Sequence, residues 1–217
     1  MERNTTFAVG HLSLGYIFAK GTAKLLQRDI NLPLIFLLSL IPDVDIVIPG
    51  IEHRTITHSI IMSTITFLPI FAVYSARATP YLVALAQHSM VGDFITGGVL
   101  GRGAMLLWPL STTWYGLPIG IGSQTNIIIE WTSFLLAMAI MIKSKDLQKM
   151  LKGTALGLVL TLPILAVLLP SFAGFPLAVP YGLLVPHLVY LVLFAFSVLN
   201  VLRAALAPLR GLRFKAQ

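Results

Sequence analysis

The sequence predicts an all-α, polytopic transmembrane bundle, about seven spans with a broken second helix, built as one integral domain. Three observations predict it. Of 217 residues, 57% are hydrophobic and only 11% charged, where a soluble domain carries about 25% charged residues. Apolar runs near the length of roughly 20 residues that a helix needs to cross a bilayer recur along the chain. Lys and Arg gather in alternate connections, as the bias toward basic cytoplasmic loops requires.

Taken in order, the candidate spans are residues 5–22, 32–49, 57–76, 80–100, 126–142, 153–171 and 182–204. Lys20 and Lys24 crowd the end of the first. Pro42 interrupts the second, and Pro49-Gly50 closes it. The fourth is followed by a long loop, 101–125, whose Trp108-Pro109 and Trp114-Tyr115 suit an interfacial aromatic belt. Residues 1–125 thus form a half of four spans plus an outer loop, and 126–217 a three-helix C-terminal membrane half. The first residues lack a charged segment followed by a short apolar run, so no cleaved signal peptide is expected.

Composition also excludes function classes. The chain has no cysteine, which removes disulfides, thiolate metal sites and cysteine nucleophiles. The net charge of +7 fits basic cytoplasmic loops, and no nucleic-acid partner is expected. With the N-terminus outside, the inner connections hold Lys20, Lys24, Arg28, Arg77, Lys143, Lys145, Lys149, Lys152, Arg203, Arg210, Arg213 and Lys215. The outer side keeps Arg3, Arg54 and Arg102, and the C-terminus is cytoplasmic.

Against this apolar background, His11, Asp43, Asp45, His53, His58, His88 and Asp93 lie inside or beside candidate spans. A charge at the bilayer centre costs about 2.5–3.5 kcal/mol on insertion scales, so such residues need partners. The orientation set by the basic residues carries all seven toward the outer side. Histidines and aspartates without cysteine point to a metal ion held by imidazole and carboxylate.

Three clusters carry the chemistry. In Ile41-Pro42-Asp43-Val44-Asp45 the proline removes a backbone donor and breaks the helix. Two carboxylates that point apart on a continuous helix can there turn toward one metal, or one can orient a ligand. In His53-Arg54-Thr55-Ile56-Thr57-His58-Ser59, Thr57 suits a helix cap, His58 opens the third span facing inward, and Arg54 offers a planar fork for phosphate. In His88-Ser89-Met90-Val91-Gly92-Asp93 the His and Asp are five apart, about 140° in direction on an ideal helix. A kink or bulge at Gly92 would realign them; alternatively Asp93 holds another ligand in place. His11 has no motif of its own and joins the set by its place on the outer side. His187, Glu130 and Glu52 are read as bystanders, and Arg102 as a cation in the loop over the site.

These residues carry a resemblance. A histidine near the N-terminus, Pro-Asp-x-Asp, His-Arg-x-x-Thr-His-Ser, then His…Gly-Asp-x-x-Thr before Trp-Pro resembles the LexA-regulated, YdjM-like inner-membrane family assigned as metal-dependent hydrolases, with a motif similar to zinc-dependent phospholipase C. The resemblance covers about residues 8 to 112. It implies His11, Asp43, Asp45, His53, His58, His88 and Asp93 as metal-site residues. One departure stands out: the fourth-span His and Asp are often four apart in the family pattern, and here they are five apart.

The resulting expectation is a membrane-embedded metal-dependent hydrolase of the phosphoesterase class. Its cofactor is a divalent metal, zinc by preference, as one ion or two. Zinc lowers the pKa of bound water to about 7, and two ions roughly 3.5–4 Å apart suit phosphodiester cleavage. Asp45 or Asp93 would act as general base and Arg54 would neutralise phosphate. The substrate would be a lipid or lipid-linked molecule reaching the outer face. The alternative is a metal-ion or proton transporter or channel, since proline-broken helices with polar groups also build transport sites.

Overall fold

The computed structural model describes residues 7–96, 102–175 and 178–213, whose regular elements are all helical. In chain order these are α1 (Ala8–Leu25), α2 (Leu32–Leu38), a 3₁₀ turn Ile41–Val47, a 3₁₀ turn Ile56–His58, α3 (Ile60–Tyr74), α4 (Thr79–Gln87) and a π turn His88–Asp93. After the loop come α5 (Gln124–Lys143) and α6 (Asp146–Lys152). An irregular helix Ala155–Ala173 contains α7 (Thr161–Pro163), and α8 (Leu184–Arg213) ends the series.

Among the described residues, four stretches are long and apolar enough to cross a membrane: Ile60–Asp93, Gln124–Lys143, Ala155–Ala173 and Tyr181–Ala207. The last three coincide with expected spans. The first merges two of them, because the helix scarcely breaks at residues 75–78. At about 1.5 Å per residue, its 34 residues would stretch some 51 Å if straight. Yet His58, just before it, and His88, near its end, are in contact. The chain therefore doubles back at Ser75, a non-glycine residue with φ of 50°. The expected spans 5–22 and 32–49 are not among the four: Lys20 and Lys24 dilute α1, and α2 stops after seven residues before Pro42.

α1 is nonetheless the centre of the bundle. Val9, His11, Leu12, Tyr16 and Ala19 are fully buried on different faces, as befits a helix surrounded by others. Small residues permit the close approach, as they do between membrane helices. A Cβ at Gly10 would meet the Glu130 carboxylate of α5, and one at Gly15 would strike Ser39. Phe36, Phe134, Tyr190 and Phe194 pack around α1 in the main core. Leu68, Val73, Leu135 and Leu165 point outward, which suits a surface solvated by lipid.

Polar contacts fix the relative directions of α1, α4 and α5. Glu130 lies beside Gly10, and Lys20 reaches Asp146 (2.6 Å), so α1 and α5 run parallel. Gln87 at the end of α4 donates to the His11 carbonyl, while Tyr81 near its start accepts from the Asn31 amide, so α4 runs the other way. One end of the bundle thus collects His11, His53, His58, His88, Asp43, Asp45 and Asp93. The other collects Lys20, Asp146 and Lys149.

Candidate metal centre

The site is assembled by irregular backbone. Pro42 sits at the start of the 3₁₀ turn Ile41–Val47, which swings Asp43 and Asp45 off the axis of α2. Arg54 takes a left-handed φ of 65°, turning the chain toward His58. Ser59, rather than Thr57, caps α3 by accepting from the Met62 amide. Thr57 is freed for the site. At the end of α4 the i→i+5 ladder of the π turn places residues five apart nearly above one another, so His88 and Asp93 face the same point. A Cβ at Gly92 would overlap the His11 ring. The missing side chain is what lets α1 and α4 bring His11 against His88, their rings stacked with centroids 3.6 Å apart.

Four side-chain atoms converge. His58 Nε2 is 3.2 Å from His88 Nε2, 3.4 Å from Asp43 Oδ1 and 3.3 Å from Asp93 Oδ2. His88 Nε2 is 3.2 Å from Asp43 Oδ1 and 3.6 Å from Asp93 Oδ2. Ligands of a tetrahedral ion with bonds of about 2.0–2.1 Å stand about 3.3–3.4 Å apart, so these separations have the scale of a coordination shell. His58, His88 and Asp93 are all at most 1% exposed.

The ring tautomers follow from the outer contacts. His88 Nδ1 is 2.7 Å from the Ser39 carbonyl, which can only accept, so Nδ1 carries the proton and Nε2 presents its lone pair. Thr57 Oγ1 donates to Asp45 Oδ2 (2.6 Å) and accepts from His58 Nδ1 (2.9 Å), which directs His58 Nε2 inward in the same way. Two lone pairs and two carboxylate oxygens then face one another. A single proton could bridge one of these contacts, whereas an ion among His58, His88 and Asp93 would meet three donors at once. The residues fit a metal by a second measure. Among the described residues, His11 Nδ1 and Nε2, Asp43 Oδ1 and His53 Nε2 are buried without a hydrogen-bond partner, a costly state for polar atoms unless a ligand meets them. His11, Asp43 and His88 form one group able to hold an ion, Asp43, His53 and His58 another, and His58, His88 and Asp93 a third.

Two expected members occupy other positions. Asp45 holds the cluster from behind: Oδ1 meets His53 Nδ1 (2.8 Å), and Oδ2 accepts from the Arg54 amide and Thr57. Its oxygens are engaged, as in the carboxylate–histidine pairs that orient metal ligands. Arg54, expected to meet phosphate, is 2% exposed. Its Nη2 pairs with Asp93 Oδ1 at 2.9 Å and its Nη1 donates to the Thr96 and Gly103 carbonyls. The guanidinium fixes Asp93 and ties the loop to the bundle.

The loop after residue 101 is stitched over this region. Met105 N donates to the Arg54 carbonyl, Ile60 N to the Leu106 carbonyl and Ser59 Oγ to the Trp108 carbonyl. The Arg102 side chain is exposed. Glu52 lies outside the cluster, exposed, while its carbonyl accepts from Thr55. Glu130 and His187 are buried, 2% exposed each. Glu130 packs on Gly10, and His187 Nε2 donates to the Leu168 carbonyl. Sequence reasoning missed Thr57 as an orienting group and Ser39 as the partner of His88. Thr57 was visible in its motif; a backbone carbonyl leaves no side-chain signal.

The family model described as YdjM inner membrane protein matches residues 6–178. No curated protein and no solved structure matches the chain. The matched stretch contains all seven clustered His and Asp residues and ends before α8. With four helices apolar enough to cross a bilayer, the chain is an integral membrane protein and belongs to the YdjM inner membrane protein family.

Proposed function

We propose that the chain is a membrane-embedded, metal-dependent hydrolase acting on a phosphoester in a lipid or lipid-linked substrate. The observation that carries this reading is the convergence of His58, His88, Asp43 and Asp93 at separations of 3.2 to 3.6 Å. These four would hold the first ion, with zinc the best match to the donor set. His11 with Asp43 and His88, or His53 with Asp43 and His58, would offer donors for a second. A divalent ion there supplies Lewis-acid polarisation of a phosphoryl oxygen and lowers the pKa of a coordinated water to about 7.

The chain's own residues supply the rest. Asp45 and Thr57 keep His58 in one tautomer and orientation. Ser39 does so for His88. Arg54 holds Asp93 in place. Asp43 lines both the cluster and a neighbouring apolar cavity, so a substrate's ester would arrive beside it. We infer seven crossings: the four long apolar stretches, with α3 and α4 counted separately because the chain turns back at Ser75, together with α1 and α2. The Lys-rich end then lies in the cytoplasm and the His/Asp end at the outer headgroup level. Between the two polar ends lie Leu12, Phe36, Phe134 and Phe194 of the core, which supports hydrolysis over ion passage.

The test is a screen of phospholipids and lipid phosphates with chelator-free protein for metal-dependent release of a headgroup. Release that stops in His58→Ala supports the reading. Protein that loads metal stoichiometrically yet releases nothing across the panel overturns it.

A further inference from the structure

An apolar cavity lies where α2, the 3₁₀ turn Ile41–Val47, the helix Ala155–Ala173 and the start of α8 meet. It encloses about 140 Å³, close to the roughly 150 Å³ of an apolar protein cavity that stays dry and accepts a benzene-sized guest. Leu37, Leu40, Leu162, Val167 and Phe175 form much of its wall. Its polar groups are mostly turned to their own backbone: Ser171 Oγ donates to the Val167 carbonyl and His187 Nε2 to the Leu168 carbonyl. Asp43 is the exception. It forms part of the wall, its Oδ1 has no hydrogen-bond partner, and it stands 3.2 Å from His88 Nε2.

We propose that this cavity, walled equally by the N-terminal and C-terminal halves of the chain, holds the first carbons of an acyl chain of the substrate, next to its ester. The inference rests on the hydrolase reading above and specifies its substrate: a lipid bearing an acyl tail, taken sideways from the surrounding leaflet. Three features select a tail over other occupants. One side of the wall comes from Ala155–Ala173 and Tyr181–Ala207, which are themselves apolar enough to cross the membrane, so its mouth adjoins lipid. Leu162 and Ala166 are exposed there. A peptide would bring backbone N–H and C=O groups that this wall leaves unmatched, at high cost in an apolar setting. The cavity also ends at a carboxylate of the metal cluster, so a tail seated in it carries its polar junction to the site. His187 belongs to α8, outside the family match, so this part of the wall is a feature of this chain and not of the matched family region.

The test is photolabelling of the full-length protein in nanodiscs of phosphatidylglycerol, using a phosphatidylglycerol with a diazirine close to the acyl ester, with metal content measured in parallel. Labelling concentrated on peptides containing residues 37–46 and 162–187, and lost in both Ala166→Trp and Val44→Trp while metal content is kept, supports the tail site. Ala166 lines the mouth, and Val44, exposed beside Asp43, gives a second way to block it should the first variant misfold. Labelling spread evenly over outward faces such as Leu68, Leu135 and Val192, or unchanged in the blocked variants, overturns it. The readout does not require turnover: a chain that labels in the cavity but fails the headgroup screen keeps the tail site and loses the reaction.

Discussion

His58 Nε2 and His88 Nε2 stand 3.2 Å apart, and each ring is fixed from behind by an acceptor that commits its other nitrogen to carrying the proton. Two such lone pairs repel unless a cation lies between them. Purified without chelators, the protein is expected to carry a divalent transition metal at one or two equivalents by elemental analysis. His58→Ala and Asp43→Ala should each lose most of it. Wild-type protein that holds no metal, and takes none up on dialysis against zinc, would falsify the metal centre.

Asp45 tests the division between ligands and their supports. Its oxygens are engaged by His53, Thr57 and the Arg54 amide. Loss of an orienting carboxylate typically weakens metal affinity by about 10- to 100-fold without abolishing the site. Asp45→Asn should therefore bind zinc more weakly but still reach wild-type stoichiometry at saturation, whereas Asp43→Ala should not. Equal behaviour of the two variants in a competition titration with a fluorescent chelator would count Asp45 as a ligand.

Gly92 is where packing and site meet. A Cβ there would enter the space of the His11 ring, and overpacking a filled interior costs typically about 1–3 kcal/mol. Gly92→Ala should lower thermal stability and metal affinity together. In Gly92→Ala/His11→Ala the stability loss should be less than the sum of the two single changes, because the collision partner has gone. Strict additivity in detergent-solubilised protein would remove the collision as the cause.

The sequence made part of this legible. Pro42, the paired aspartates and the His53–Ser59 motif marked a broken segment with metal-ligand chemistry because side-chain identity alone encodes it. The spacing of His88 and Asp93 was readable as a problem, and the π turn is its resolution, but the turn depends on Gly92 meeting α1 and so on tertiary packing. Arg54 has a fork well suited to phosphate, and its contacts to Asp93 and the Thr96 and Gly103 carbonyls are visible only in the fold. The reversal at Ser75, a residue with positive φ, falls at the end of the expected span 57–76 and before the expected span 80–100. At α1, lysines diluted the hydropathy of a helix that its neighbours bury.

Arg54→Lys isolates the clamp from the charge. Lysine keeps the positive charge but cannot reach Asp93 and the Thr96 and Gly103 carbonyls at once. Breaking a buried pair typically costs about 3–5 kcal/mol, and Arg54→Lys should fall toward that loss. It should also raise proteolytic cutting in the loop 104–117 that Arg54 helps to fasten. If stability and loop protection stay at wild type while headgroup release alone falls, Arg54 serves the substrate and not the scaffold.

The far end of the bundle gives a prediction independent of metal. Asp146 is 1% exposed and accepts from Tyr16 (3.0 Å), Lys20 (2.6 Å) and Lys149 (3.0 Å). Burial by itself would raise its pKa, but the hydrogen bonds from Lys20, Lys149 and Ser144 outweigh it and hold the carboxyl below its ordinary value. A group with a depressed folded pKa adds stability that is full above its unfolded pKa of about 3.9 and is lost as pH falls through the folded value. Asp146→Asn should thus be less stable than wild type at pH 7, by about 1–3 kcal/mol for lost hydrogen bonds to a charged group. The difference should shrink as the pH is taken below about 4, while the metal-site variants show no such convergence there from this cause. The measurement is thermal unfolding of the two proteins in the same detergent from pH 3 to 7. A gap that stays constant across that range would show that Asp146 acts through packing and not through its charge.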